Sequence, residues 1–226
     1  MRSYLDPTAP TAPDALLTDD PKGAMDLAIA LCESPRMSNL AHGLWGYHGK
    51  TNDGTELTIQ SLGIGGPSAA AVMTDLAGLG VRRAIRIGSC IPIGGAMEPG
   101  ASLVATSFEP GDGAGFALAE GGPVAPDQAL TEAVILALPG ASTGTVRSTD
   151  LASANAAGGD AVAADLSSAA FAAAGARDGV ACACALLAVG PAGGSRVQQE
   201  AVESALIGLG VQAAKALEVL AQAAGS

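Results

Sequence analysis

The sequence predicts an α/β protein in which helices cover both faces of a central sheet. Apolar segments of strand length alternate along the chain with segments of helical periodicity, which is typical of this class. Aromatic residues make up only 3% of the chain, so the core is built from small aliphatic side chains that favour close packing of helices on a sheet. No linker or internal repeat interrupts the alternation, and we therefore expect residues 1–226 to form one domain.

The N-terminal part of the chain predicts an arm, a helix and a hairpin. Residues 1–15 are rich in Pro, Thr and Ala and predict an extended arm, either disordered or packed on a partner subunit. The apolar spacing in PKGAMDLAIALC predicts a helix over Pro21–Cys32. Two strands, 43–50 and 56–64, are joined by the Asn-Asp-Gly turn at 52–54, a strong hairpin signal.

The remainder of the chain continues the alternation. Helices are predicted over 68–79, 126–138, 161–174 and 198–224, and strands over 84–89, 101–109, 141–150 and 180–189. The first of these helices ends at Gly80, a residue type common just after helix C-termini. The Gly-rich stretch 111–122 predicts a mobile loop.

The charge of the chain restricts its ligands. The formal net charge is −11, with only 11 Lys and Arg residues, and nucleic-acid binding is excluded because it requires a basic stripe. Any anion must therefore be held by a local, specific pocket. The two histidines are too few for a His-rich metal site, and we expect neither a metal nor another cofactor.

The expected location of the protein is the cytoplasm. No secretory apolar region opens the sequence, and we expect no membrane span and no membrane partner. Cys182 and Cys184 lie in the predicted strand ACACALLAV, where thiols act as small apolar side chains. These features predict a protein of a reducing compartment.

Glycines and hydroxyl residues stand at the ends of the predicted strands. Ligands of open α/β sheets collect at the carboxyl ends of strands, which selects the turn at 63–66, Ser89 and the segment 148–150. The GIGGPS sequence at 63–68 has two interpretations. It can direct backbone N–H groups at an anion, or it can form a tight, closely packed turn; from the turn alone, the second is favoured.

Arg86 lies within the apolar strand segment IRIGSC. A buried guanidinium requires a partner because burying it alone is very costly. Asp75 or Asp150 would be a structural partner, whereas a bound oxyanion would be a functional partner, with Ser89 adding a hydroxyl. We expect an anion site at Arg86 and Ser89; pairing of Arg86 with Asp19 or Asp150 would instead argue against that site.

The stretch GIGGPSAAAVMTDLAGLGVRRAIRIGSC at 63–90 resembles the nucleoside phosphorylase family, which includes uridine phosphorylase and the hexameric purine nucleoside phosphorylases. The flanking segments GLWGYHGKTNDGTELTIQSLG and MEPGASLVATS fit the same pattern. The resemblance implies a three-layer α/β/α phosphorylase/hydrolase-like fold with a mixed central sheet. It also implies a homo-oligomer, either a trimer or a dimer-based hexamer, that cleaves a nucleoside with phosphate as co-substrate to give a base and ribose 1-phosphate.

The phosphate site implied by the resemblance is only partly that of the family. It assigns to phosphate the residues Arg86, Ser89, Gly65, Lys22 and, from a neighbouring subunit, His42. The family's loop Gly-Asp-Pro-x-Arg reads DDPKG at 19–23. The carboxylate of Asp19 therefore replaces the first glycine of the loop, and this carboxylate repels phosphate. Gly23 replaces the arginine of the loop.

The ribose and base sites also depart from the family. The resemblance assigns ribose to Ile64, Asp165, Leu166 and Ser167, and the base to Ser148, Thr149, Ala152 and Arg196. The family's Glu-Met-Glu-Ser motif reads DLSS at 165–168, so Ser167 replaces the carboxylate that holds ribose. The ring that stacks on the base is missing after STD at 148–150. The absence of an Asp after Val189-Gly190, together with SRVQQE at 195–200, favours a pyrimidine nucleoside.

Three functions remain open from the sequence. The first is a uridine-phosphorylase-like enzyme with an altered substrate, supported by Arg86, Ser89 and the glycine turn. The second is a non-catalytic member that binds a nucleoside or base, supported by the replacements at Gly23 and Ser167. The third is a nucleosidase that uses water. The first function is preferred because the chain retains Arg86, Ser89 and the glycine turn of the anion site.

Overall fold

The structure, a computed structural model, describes residues 3–151, 159–190 and 199–225. The strands are β1 (Asp14–Thr18), β2 (Cys32–Asn39), β3 (Gly46–Thr51), β4 (Glu56–Ser61), β5 (Arg83–Pro92), β6 (Ser102–Gly111), β7 (Ser142–Thr149), β8 (Ala161–Asp165) and β9 (Ala181–Ala188). The helices are α1 (Pro21–Leu31), α2 (Gly65–Gly78), α3 (Gly113–Leu118), α4 (Gln128–Ala137), α5 (Ser168–Asp178) and α6 (Gln199–Gly225).

The described strands form one mixed sheet in the order β2-β3-β4-β1-β5-β8-β7-β6-β9. Strands β1, β4, β5 and β9 run parallel to one another. Strands β6, β7 and β8 are parallel to one another but antiparallel to the first group where the two meet. Because β9 pairs with both β5 and β6, the strands β5, β8, β7, β6 and β9 close into a ring.

Helices cover both faces of this sheet, which confirms the expected three-layer arrangement. Helices α2, α3 and α5 pack together on one face, over a core that includes Met73 and Phe171. Helices α1, α4 and α6 pack on the other face, over a core that includes Ile85 and Leu217. The Ala- and Gly-rich helices lie close to the strands, as the scarcity of aromatic side chains predicted.

Two strands were not expected from the sequence. Strand β1 lies between β4 and β5 and is buried along its whole length. It has only five residues, and the first two of them were assigned to the predicted arm over 1–15. Strand β2 has the sequence CESPRMSN, which shows no apolar alternation. It forms at the edge of the sheet beside β3, a position that tolerates proline because one side of an edge strand has no partner.

Two predicted elements have a different structure. The helix expected over 161–174 is wrong in its first part, because Ala161–Asp165 is strand β8 and the helix begins at Ser168. Alanine favours helices, but here pairing with β7 and β5 overrides that preference. The stretch 111–122, expected to be a loop, contains helix α3, whose first turn is capped by Asp112 through the Gly115 amide.

The N-terminal arm is docked on its own chain. The backbone amides of Tyr4 and Leu5 donate to Asp75 at 2.6 and 2.9 Å, and the Ala12 amide donates to the Thr58 hydroxyl at 2.8 Å. Leu5 is buried in the core on the α2 side. The described part of the arm is therefore held by contacts within its own chain, so the expectation of disorder is wrong, whereas packing of the arm on a partner subunit stays a prediction.

Helix α6 includes a segment, Gln199–Ala223, that is long and apolar enough to cross a membrane by length and composition alone. The expectation that no apolar run reaches this length is therefore wrong. Leu209, Ala213 and Leu217 of this segment pack in the core beside the sheet, and 33% of its most apolar window is buried. The cytoplasmic location stays a prediction.

Candidate functional site

Arg86 is the centre of the candidate site, and its guanidinium is buried between two carboxylates. On one edge, Nε and Nη2 donate to Asp19 Oδ1 at 3.2 and 2.9 Å, and Nη2 also donates to Asp19 Oδ2 at 2.9 Å. On the other edge, Nη1 donates to Asp165 Oδ2 and to Ser168 Oγ, both at 2.9 Å. All three guanidinium nitrogens are therefore hydrogen-bonded within the chain.

The position of Arg86 depends on a neighbouring glycine. A Cβ atom at Gly88 would lie 2.7 Å from Arg86 Cζ, so the guanidinium folds back over the strand where only glycine leaves room. Burial alone would lower the pKa of Arg86, but the carboxylates of Asp19 and Asp165 together raise it. The guanidinium is therefore charged at any physiological pH.

Asp165 is the most constrained carboxylate of the site. Its side chain is 1% exposed, and it is the last residue of β8, shortly before α5 begins at Ser168. Oδ1 accepts from Ser148 Oγ at 2.7 Å and from the amides of Ser167 and Ser168. A carboxylate at a helix N-terminus is stabilised by the helix dipole as well as by these donors.

The hydroxyls expected to contact substrate are turned inward. Ser148 is fully buried and accepts from the Ala169 amide at 2.8 Å while it donates to Asp165. Thr149 is 8% exposed and donates to the Leu151 carbonyl at 3.1 Å. Ser167 is 1% exposed. Of these three side chains, Ser148 holds the ends of β7, β8 and α5 together.

A cleft of about 130 Å³ opens beside Arg86, at the ends of β1 and β5. Its lining consists of Thr18, Asp19, Asp20, Lys22, Gly23, Asp26, Leu27, Ile87, Gly88, Ser89, Glu203, Leu206 and Ile207. Lys22, a predicted phosphate ligand, donates to Asp26 at 2.6 Å and to Glu203 at 3.0 Å. Its charge is thus already balanced by carboxylates of α1 and α6.

The remaining predicted residues that the structure describes do not line this cleft. Gly65 begins α2 with a positive φ of 83°, and the neighbouring Ile64 is 82% exposed. His42 is exposed on a 3-10 turn, and its ring meets that of Tyr4 edge-on at 5.8 Å. Leu166 is half-buried. Ala152 and Arg196 lie outside the described residues, and the contact of His42 with a neighbouring subunit stays a prediction.

Two acids were not recognised from the sequence as members of the site. Asp19 was weighed only as a replaced loop residue or as a partner that would argue against an anion, yet it makes the bidentate pair with Arg86. Asp112 is fully buried at the start of α3, and its Oδ1 has no hydrogen-bond partner. Burial raises the pKa of Asp112. Its position in the sequence GDGAG, before a helix, was the available signal.

Burial also raises the pKa of Asp19, and the nearby carboxylates of Asp165 and Asp20 act in the same direction, against the opposing charge of Arg86. Two carboxylates thus share one guanidinium, which gives the group a net charge of −1. Among the described residues, no group of three or more His, Cys, Asp or Glu side chains is placed to hold a metal ion.

Comparison with known proteins gives partial matches to nucleoside phosphorylases. No protein-family model matches the chain. A guanosine phosphorylase of Halorubrum lacusprofundi is 48% identical over 54 residues, which are 24% of this chain and 22% of that protein. A DeoD-type purine nucleoside phosphorylase of Oceanobacillus iheyensis is 34% identical over 76 residues, 33% of this chain and 32% of that protein.

These matches support a relationship with the nucleoside phosphorylase family, in agreement with the mixed α/β fold. The aligned segments span between 22% and 32% of the length of the two relatives. Both relatives carry the names of purine enzymes, so a uridine-phosphorylase-like specificity has no support from them and stays a prediction.

Proposed function

We propose that this protein cleaves the N-glycosidic bond of a nucleoside by phosphorolysis, at the cleft beside Arg86 and Ser89. The observation that carries the proposal is a charged arginine on a central strand, three residues before a half-buried hydroxyl that lines an open cleft. The partial likeness to a guanosine phosphorylase and a purine nucleoside phosphorylase supports the same class of reaction. Purine nucleosides are therefore the first substrates to test, with uridine as the pyrimidine alternative.

The chemistry of the site is electrostatic. Phosphorolysis replaces the bond from C1′ to the base nitrogen by a bond from C1′ to a phosphate oxygen, and the base leaves with a proton. Its transition state has positive charge on the ribose, which an anion held against the reacting face stabilises. Arg86 would hold that anion, and Ser89 would donate a hydrogen bond to it.

A second candidate function, binding or hydrolysis of a nucleoside without phosphate, is favoured by the pairing of Arg86 with Asp19. This pairing occupies the edge of the guanidinium that would receive an oxyanion. In addition, Asp20, Asp26 and Glu203 surround the cleft with negative charge, which disfavours a free anion.

Base release from a nucleoside panel distinguishes these functions. Guanosine, inosine, adenosine and uridine are assayed with and without phosphate, for the wild type, Ser89→Ala and the exposed control Ser142→Ala. Phosphorolysis predicts base release that requires phosphate and falls about tenfold or more in Ser89→Ala, since a hydrogen bond to a charged group is lost. Release without phosphate supports hydrolysis. Saturable nucleoside binding without release supports a binding protein, and both outcomes contradict the primary proposal.

A further inference from the structure

The two acids paired with Arg86 differ in how firmly they are held. Asp165 is enclosed, with 1% of its side chain exposed, and it receives further hydrogen bonds from Ser148 and Ser168. Asp19 is 32% exposed at the side chain and lies in the wall of the cleft. Among the described residues, its side chain has hydrogen bonds only with Arg86. Asp19 is therefore the partner that can be exchanged.

The position of Asp19 follows from the sheet. Strands β1 and β5 are parallel, with Leu17 opposite Arg86 and Thr18 opposite Ile87. Asp19 is the first residue after β1, so its carboxylate lies beside the middle of β5, where the guanidinium of Arg86 folds back over Gly88. There it binds the Nε–Nη2 edge in the two-point geometry that guanidinium groups use for carboxylates and phosphates alike.

The charge of the cluster shows that Asp19 is not needed to neutralise Arg86. Asp165 already supplies one full negative charge at 2.9 Å, and this pair alone is neutral. Asp19 adds a second negative charge, which a structural ion pair does not require. Removal of Asp19 therefore leaves a guanidinium whose charge is still balanced by Asp165. Its Nε–Nη2 edge would then be free on the side where Asp19 lines the cleft.

We infer that Asp19 is an internal occupant of the anion position on Arg86, so that free phosphate binds only when the Asp19 carboxylate is displaced. That the anion is phosphate rests on the proposed function, whereas the occupation of Arg86 by Asp19 rests on the observed ion pair. It makes Asp19 the residue that sets phosphate affinity and hence the choice between phosphate and water as the acceptor. A substrate that displaces Asp19 would gain access to the same two-point contact.

The test measures phosphate binding to the full chain by calorimetry, without any nucleoside. Asp19→Gly removes the occupant, Asp19→Asn removes its charge while it keeps its shape, and Asp26→Asn is the matched control. Asp26 lines the same cleft but pairs with Lys22 instead of Arg86. We expect phosphate to bind at least about tenfold more tightly to Asp19→Gly than to the wild type. Asp26→Asn should show a clearly smaller gain, because it removes one charge of the cleft without freeing an edge of Arg86. Asp19→Asn should show an intermediate gain.

Equal phosphate affinity of the wild type and both Asp19 variants overturns the inference, as does an equal gain in Asp26→Asn. If Asp19→Gly fails to fold, Asp19→Asn alone decides the outcome by the same comparison. Failure of the proposed function looks different. A variant that gains phosphate but releases no base from any nucleoside contradicts phosphorolysis while the inference stands. Phosphate-dependent base release with a phosphate KM unchanged by Asp19→Gly contradicts only the inference.

Discussion

Ser148 and Asp165 join two parallel strands to the helix that follows them. Ser148 Oγ donates to Asp165 Oδ1 at 2.7 Å and accepts from the Ala169 amide at 2.8 Å, so one hydroxyl links β7, β8 and α5. Asp165 Oδ2 in turn accepts a hydrogen bond from Arg86 Nη1 at 2.9 Å. The position of the Arg86 partner Asp165 therefore depends on Ser148, a serine that is itself buried and inaccessible to ligands.

Replacement of Ser148 by alanine should destabilise the fold. The change removes the hydrogen bond from Ser148 to Asp165 and leaves the Ala169 amide without a partner in a buried environment, which costs about 1–3 kcal/mol for an unsatisfied group. Urea unfolding measures this cost. Ser142→Ala, at the exposed start of the same strand, should change the free energy of unfolding by less than about 0.5 kcal/mol. Equal effects of the two changes would show that the buried hydroxyl contributes no specific stability.

Replacement of Arg86 by alanine should destabilise the fold more strongly than loss of a surface pair. Asp165 would remain buried without its cation, and breaking a buried pair typically costs about 3–5 kcal/mol. The control is Arg177→Ala, because Arg177 is 50% exposed and pairs with Asp178 at the surface, where a pair contributes about 0–1 kcal/mol. Chemical denaturation of both variants at one pH gives the comparison. A small effect at Arg86, equal to that at Arg177, would show that the buried ion pair contributes no more to stability than the surface pair.

Replacement of Gly66 by alanine should strain the start of α2. A Cβ at this position would lie 2.0 Å from Asp112 Oδ2 and 3.2 Å from Ala170 Cβ, and the Asp112 carboxylate is fully buried and bound to the Gly115 amide. We expect a loss of about 1–3 kcal/mol, as for other overpacked positions. Gly78→Ala, at the exposed end of the same helix with no atom within 4 Å of its Cβ position, should be neutral or stabilising by up to about 1 kcal/mol. The melting temperatures of the two variants should thus move in opposite directions.

Sulfate affinity should depend on pH through Asp19. Burial raises the pKa of Asp19 above its ordinary value, so this carboxylate takes up a proton at higher pH than an exposed aspartate would. As the pH falls below neutrality, loss of the Asp19 charge should weaken its pair with Arg86 and strengthen sulfate binding. Sulfate is the suitable probe because its own charge does not change in this range.

Asp19→Asn provides the control for this pH dependence. Asp165 and Asp20 are the other acids close to Asp19, and both are retained in the variant. Calorimetric titrations at several pH values should therefore show a rising sulfate affinity on acidification in the wild type and a nearly constant one in Asp19→Asn. The same slope in both proteins would show that Asp19 is not the group responsible for the pH dependence.

The sequence predicted the place of Arg86 but not its partners. A charged residue within IRIGSC indicated a buried strand and a need for compensation, and both are present in β5. The acids that supply the compensation are 67 and 79 positions away along the chain. Such distant pairs arise from strand order, and no local pattern records that order. Asp75 and Asp150, which were considered as partners, instead accept from the backbone of the arm and of Gly113.

The same distinction explains the errors in the elements. The Asn-Asp-Gly turn located β3 and β4, because a hairpin of two antiparallel strands is encoded by adjacent segments of the chain. Strand β8 and the edge strand β2 are imposed by neighbours: β8 lies between β5 and β7, and β2 pairs with β3. Ser148 and Ser167 were placed correctly at element ends, but the inward direction of the Ser148 hydroxyl depends on the approach of α5, whose Ala169 amide donates to it.

The closed ring of strands has a consequence for the time scale of events at Arg86. Strand β5 is hydrogen-bonded along both edges, to β1 at Asp14–Thr18 and to β9 at Ala181–Ala188. Its amide hydrogens should exchange with solvent only as fast as the whole molecule unfolds. The turn after β1 has no such enclosure, since Asp19 and Asp20 border the cleft. We therefore expect slow opening of strand β5 and faster motion of the turn after β1. The rate at which any ligand reaches Arg86 should then be set by the motion of this turn.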